Sequence, residues 1–206
     1  MAYSAWLIPS KTSGSGNDTV NATAASDHTG RVARSTVMTF KAANCDDVPV
    51  TVNHAGKLEF VNIQATAAVS KTGGTLTISG TSNSSKLIFS LGSGATLPLT
   101  LPSVYTANSV ETDNGVVIAG DPGAGAEYAF SIAFANIAEN TSVDDLMAQL
   151  IVTDNAGHEA TCNITQAAGD ATLSVTPTTV NLDWNAATEQ TSASVAVTSN
   201  TSWTID

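Results

Sequence analysis

Apolar and polar residues alternate with a period of two along most of this chain, in short runs separated by Gly, Asn, Asp, Ser and Pro. That is the pattern of half-buried β-strands joined by turns. Tyr3 to Pro9 opens it, with Trp6 and Ile8 on one face. Thr19 to Thr23 alternates again. Arg31 to Lys41 places Val32, Arg34, Thr36, Met38 and Phe40 on one side and Val37 on the other, and Val48 to His54 returns from the loop Ala42 to Asp47. Leu58 to Ile63, Thr75 to Ser79, Lys86 to Leu91, Leu97 to Leu101, Val116 to Ile118 and Tyr128 to Phe134 follow as strands. Leu146 to Thr153 and Glu159 to Gln166 form a hairpin around Asn155-Ala156-Gly157. Ala171 to Val175, Val180 to Trp184, Ser192 to Thr198 and Ser202 to Ile205 complete the pattern, which predicts an all-β protein.

The pattern repeats. Val50-Thr51-Val52-Asn53-His54-Ala55-Gly56 matches Cys162-Asn163-Ile164-Thr165-Gln166-Ala167-Ala168, and Met38 and Phe40 fall on Leu150 and Val152. After each closing strand a new unit begins, at Lys57 and at Ala171, and each reaches the same tripeptide, Thr81-Ser82-Asn83 and Thr198-Ser199-Asn200. Residues 1–56 therefore read as the back of a unit, 57–169 as a whole unit and 170–206 as the front of a unit.

Composition narrows the function classes. The chain of 206 residues has a net charge of −11, and all seven basic residues lie at or before Lys86. The remainder is acidic and would repel phosphate, so neither nucleic acid nor an anionic membrane is an expected partner. No apolar run reaches the ~18 residues of a membrane span, and no basic segment followed by an apolar one marks a secretory signal. Two cysteines, Cys45 and Cys162, make no disulfide framework.

Three stretches carry a family resemblance: TLSVTPTTVNLDW…SASVAVTSNTSWTI, AWLIPSKTSGSGNDTVNATA…HTGRVARSTVMTF and ITQAAG. They resemble the BACON family of immunoglobulin-like β-sandwich modules. The likeness covers the two outer segments and both ends of the middle one; Leu91 to Ala138 departs from it. It implies two immunoglobulin-like β-sandwich units, one of them split between the N- and C-terminal segments. It also implies a setting, because such modules occur in secreted and surface proteins of gut bacteria and in proteins of the phages that infect them, as spacers or carbohydrate binders.

Together the outer segments are about as long as one sandwich domain of ~100 residues. Alone, each leaves an open sheet edge, which drives pairing with other strands. Completion within one chain, as a circular permutant, and completion between chains by strand addition both satisfy those edges. An odd number of strands in the middle unit places its two ends at opposite poles, which favours completion between chains. The residues expected to make that contact are Trp6, Ile8, Val195, Val197, Trp203 and Ile205. A homo-oligomer, or a complex with another virion protein, is the expected state.

Chemistry-bearing positions are sparse. His28, His54 and His158 have no ligand spacing, and Asp46-Asp47, Asp144-Asp145 and Asp121-Pro122-Gly123 lack the alternating oxygens of a calcium loop. No metal site, catalytic constellation or cofactor is expected, so the chain reads as a non-enzymatic structural or adhesion protein, located in a virion or, alternatively, on a bacterial surface. If a glycan is bound, Tyr105 and Tyr128 are the surface candidates, since Trp6, Trp203 and Trp184 sit in alternating strands as core residues do. Cys162 reads as a small buried hydrophobe.

Overall fold

The computed structural model describes residues 3–119, 121, 125–182 and 192–206; Trp184, Pro122 and Gly123 lie outside them. Every regular element among the described residues is a strand. β1 (Leu7–Pro9) pairs with β2 (Ala22–Ala24), and β3 (Arg34–Phe40) with β4 (Val48–His54). The middle segment supplies β5 (Val61–Ile63), β6 (Thr66–Val69), β7 (Gly74–Ser82), β8 (Leu87–Leu91), β9 (Val104–Ala107), β10 (Val110–Asp113), β11 (Tyr128–Ile137), β12 (Leu146–Asp154) and β13 (Glu159–Gln166). β14 (Leu173–Thr176) and β15 (Ala196–Ser199) form a last antiparallel pair.

The middle strands make a two-layer sandwich. One sheet runs in the order β10-β9-β11-β7-β5 and the other β6-β13-β12-β8. Between Ile63 and Thr66 the chain crosses from one sheet to the other: β5 pairs antiparallel with β7, and β6 pairs parallel with β13. Alternation along β7, β8, β11, β12 and β13 turns Leu76, Ile78, Leu87, Phe89, Phe130, Ile132, Phe134, Leu150, Val152, Cys162 and Ile164 into one shared core. Cys162 is fully buried there, as a small hydrophobe would be. Gly80 is fixed by this packing, because a Cβ on it would lie 2.4 Å from the Phe130 ring.

Several expectations shift. Leu97 is buried, but Leu97 to Leu101 forms no strand, and Val116 to Ile118 makes only a single bridge, Val117 to Lys86. The β9–β10 hairpin has no glycine in its turn; Asn108 and Ser109 adopt positive φ of 48° and 65° instead, the conformation that a two-residue hairpin requires. In β1 the inward residue is Leu7, at 3% exposure, and Ile8 points out at 53%. Ser202 to Ile205 carries no strand pairing among the described residues.

The middle sandwich has its neighbours at opposite poles. At the entry pole lie Leu58, Asn83, Ser84 and the β12–β13 turn, whose Asn155 N–H donates to Ser84 Oγ at 3.0 Å. At the exit pole lie the β6–β7 turn, the β11–β12 loop and the end of β13: Asn140 N–H donates to Lys71 O at 2.7 Å, and Gln166 Nε2 to Ala138 O at 2.8 Å. β7 spans the whole distance between the poles with nine residues.

Candidate assembly interface

The tripeptide that ends β7 and recurs at the end of β15 makes the same set of hydrogen bonds twice. Asn83 Nδ2 donates to Leu58 O (3.2 Å) and to Thr29 O in the preceding segment (3.2 Å), while its Oδ1 accepts from Phe60 N–H (3.0 Å). Asn200 Nδ2 donates to Asp170 O (2.9 Å) and to Thr141 O in the preceding unit (3.0 Å), while its Oδ1 accepts from Thr172 N–H (2.8 Å). The adjacent serines agree as well: Ser82 Oγ donates to Phe60 O, and Ser199 Oγ to Thr172 O. Each asparagine thus uses an amide with matched donor and acceptor sides to tie the first strand of a unit, the second strand and the unit before it. At the first junction Arg31 adds a bond to Asn83 O (2.8 Å) and ion pairs with Asp121 and Glu59.

Strand register extends the correspondence. In the β12–β13 hairpin Leu146 faces Gln166, Leu150 faces Cys162 and Val152 faces Ala160. In the β3–β4 hairpin Arg34 faces His54, Met38 faces Val50 and Phe40 faces Val48. At the other end, Val61 faces Ser82 and Ile63 faces Gly80, as Leu173 faces Ser199 and Val175 faces Val197.

The environments of these matched positions differ sharply. β12 lies between β13 and β8, β13 between β12 and β6, and β7 between β5 and β11. By contrast, among the described residues β3 and β4 have only each other, as do β14 and β15, and β1 and β2. Leu150, Val152 and Cys162 are 0% exposed; of their counterparts, Met38 is also buried, at 8%, whereas Phe40 and Val50 are 44% and 40% exposed. Beside Met38 and Phe40 a groove of about 520 Å³ lies open, lined also by Tyr3, Pro9 and Val20 and by the polar Lys11, Ser13 and Asp18. The C-terminal segment exposes Leu173, Val195, Trp203 and Ile205, the last at 84%.

In the middle unit β8 covers the edge of β12 whose counterpart on β3 has no partner strand among the described residues, and β8 is itself capped on its outer side. Asn114 accepts from Phe89 N–H (2.7 Å) and donates to Phe89 O (2.9 Å), and Gly115 N–H donates to Leu87 O (3.0 Å), so the outer side of β8 is satisfied. Covering an edge in this way prevents unwanted pairing. Among the described residues, no strand pairing, side-chain hydrogen bond or ion pair joins residues 3–56 to residues 170–206.

The sequence-derived site residues divide into three groups. Ile8, Val195, Trp203 and Ile205 are exposed, and Val197 is half-buried against β14. Trp6 packs within its own segment instead: its ring centroid lies 5.5 Å from that of His54, and the Arg34 guanidinium sits 4.9 Å above it. Tyr105 and Tyr128 correct the glycan expectation, because they are only 2% and 4% exposed and belong to the core. Inward alternation along β9 and β11 puts them there. Tyr128 donates its hydroxyl to Ser84 O at 2.7 Å, and burial raises the pKa of both phenols above the usual 10.0.

Of the remaining candidates, His158 Nδ1 contacts Asp154 Oδ2 at 2.8 Å, and Asp154 also accepts from the N–H groups of Ala156 and His158. That arrangement staples the β12–β13 turn. His28 and His54 stack at 5.5 Å between centroids, and His28 Nε2 contacts Val32 O at 2.7 Å. No group of three or more metal-ligating side chains occurs among the described residues, and no helix among them is long and apolar enough to cross a membrane. Asn114-Gly115 reads in sequence only as a turn; the edge-capping role of Asn114 rests on contacts far apart in the chain. Comparison with protein-family models and with curated proteins finds no match.

Proposed function

We propose that this is a non-enzymatic, self-assembling structural protein in which residues 170–206 of one copy complete residues 1–56 of another by strand addition. The observation that carries this reading is the match between what each piece lacks and what the other holds. In the middle unit β12 is flanked by β8, the strand that follows Asn83; the counterpart of β12 is β3, and the stretch that follows Asn200 is Ser202 to Asp206. Likewise β7 is flanked by β11; the counterpart of β7 is β15, and the strand that precedes the β3–β4 hairpin is β2. Main-chain hydrogen bonds would then supply affinity, and the alternating side chains register. The completed body would be a second sandwich of immunoglobulin-like topology.

Burial is the driving force. Moving Val48, Val50, Phe40, Trp203 and Ile205 from water into a sandwich core is worth roughly 1.5–3 kcal/mol for each large side chain fully buried. Trp203 and Ile205 would lie near the Phe40 end of the groove.

The proposed setting is a virion of a phage of gut bacteria, as a head fibre, decoration or tail part, a reading supported by the resemblance to BACON modules. The carbohydrate-binding alternative loses its two tyrosine candidates to the core. Light scattering on the full chain and on a chain lacking residues 198–206 tests the central claim. Oligomers that the deletion reduces to monomers support it. A full chain that is monomeric at every concentration overturns it.

A further inference from the structure

Resting on that reading, we infer that the completed units string into an open, polar fibre with the same asparagine clamp at every junction. The argument starts from where the junctions sit. The N-terminal segment is clamped to the middle sandwich at its entry pole, through Asn83 and Thr29, and the C-terminal segment at its exit pole, through Asn200 and Thr141. The two clamps are separated by the length of β7, nine residues at ~3.3 Å each, or roughly 30 Å.

The split sandwich, once completed, inherits the same plan. Its first two strands are β14 and β15, registered as β5 and β7 are, and its last two are β3 and β4, registered as β12 and β13 are. It therefore also receives one neighbour at one pole and passes on the other at the opposite pole. Chain one leads into the shared sandwich, and that sandwich leads into the middle unit of chain two. Two chains closing reciprocally would need a sharp corner at all four junctions of a four-sandwich ring.

The clamps oppose such corners. The connecting residues at each junction are themselves bonded back: Lys57 N–H donates to Gly30 O at 2.8 Å, and Gly169 N–H to Ser142 O at 2.7 Å. Gly56 and Gly169 pack so closely on the preceding unit that a Cβ would lie 2.3 Å from Arg31 O and from Asn140 O respectively. Each interface is heterologous, and a heterologous contact that does not close propagates. Every chain adds two sandwiches, so the axial repeat is at least roughly 60 Å from strand length alone.

The test mixes the full chain with a chain lacking residues 198–206, which accepts a neighbour but cannot donate to one. Negative-stain microscopy and sedimentation read the products. Unbranched fibres whose mean length rises with protein concentration and falls in proportion to the added truncated chain support the proposal. A discrete two-chain mass, or rings of fixed mass, overturn it while leaving strand completion intact. A full chain that stays monomeric overturns the completion reading itself. The melting transition of the middle sandwich, measured on the truncated chain alone, verifies that the stopper is folded.

Discussion

Asn83 and Asn200 hold equivalent places at the two ends of the middle sandwich, and each donates one amide N–H to the carbonyl of a threonine in the unit before it, Thr29 or Thr141. Their surroundings differ in one respect. Asn83 is 0% exposed and Asn200 lies open to solvent. The difference follows from the strands around them: β7 lies between β5 and β11, whereas β15 pairs with β14 alone among the described residues.

That contrast sets the first prediction. Asn83→Ala removes three part-buried hydrogen bonds, to Leu58 O, to Thr29 O and from Phe60 N–H, at about 1 kcal/mol for each. Asn200→Ala exposes the equivalent groups to water and costs the folded single chain less than ~1 kcal/mol. Thermal unfolding of unassembled protein should therefore separate the two variants by several degrees, with Asn83→Ala the lower. Equal melting temperatures would contradict the burial argument.

The second prediction concerns the tail. Trp203→Asp and Ile205→Asp touch nothing in the core of the middle sandwich, so its melting transition stays within ~0.5 kcal/mol of wild type. Assembly is affected differently, because a carboxylate placed in a completed core is penalised by several kcal/mol. Sedimentation should report loss of the oligomer in both variants at concentrations where the wild type associates. Phe134→Ala is the opposite control: it empties the middle core at a cost of about 3–5 kcal/mol and leaves the open edges of β3 and β15 unchanged.

The alternation of β7, β8, β11, β12 and β13 was legible because each of these strands has one face on a core and one on solvent, which is the condition for a period of two. The repeat was legible for the same reason: Met38 and Leu150, or Val50 and Cys162, answer to one register. Turn chemistry hid β9 and β10, since Asn108 and Ser109 supply positive φ without glycine. Parity failed at Ile8, where a strand of three residues gives too few positions to fix the inward face. The inward place of Tyr128 is legible in its strand, since it alternates in phase with Phe130, Ile132 and Phe134, and the glycan expectation set that pattern aside; Tyr105 lies on β9, which the turn chemistry hid. Nothing local in Asn114 announces that its amide will cap Phe89.

The two buried tyrosines give the third prediction. Tyr128 donates to Ser84 O, whereas the Tyr105 hydroxyl lies near the Leu87 main chain and makes no hydrogen bond of good geometry among the described residues. Tyr128→Phe should therefore cost about 1 kcal/mol, and Tyr105→Phe should be neutral or stabilising, since it removes a buried group that is not hydrogen-bonded. Denaturant titration at neutral pH separates the two.

The same residues set an alkaline limit. Burial raises both phenol pKa values above 10.0, so above pH 10 the unfolded chain has released protons that the folded chain retains. The unfolded state then binds fewer protons, and stability falls as pH rises. Below pH 10 both states hold the proton, and these groups contribute no slope. Denaturant midpoints measured from pH 8 to 11 should be flat and then decline. In Tyr128→Phe the decline should be shallower; an unchanged slope would remove Tyr128 as its source.

Amide exchange reads the open edges directly. Both sides of β12 are paired within the chain, to β13 and β8, so its amides should exchange slowly at any protein concentration. β3 is paired on one side alone, to β4, and β15 to β14 alone, so the amides on their free sides face water and should exchange quickly in dilute protein. Strand completion would cover the free side of β3 with the stretch after Asn200, and the free side of β15 with β2. Raising the concentration should then slow exchange in β2, β3 and β15 together while leaving β7 and β12 unchanged. Protection that rises in β3 but not in β15 would mean that something other than a second copy's tail occupies the edge. Protection that rises in neither would leave the open edges unpaired in solution, and the proposed assembly would fall with them.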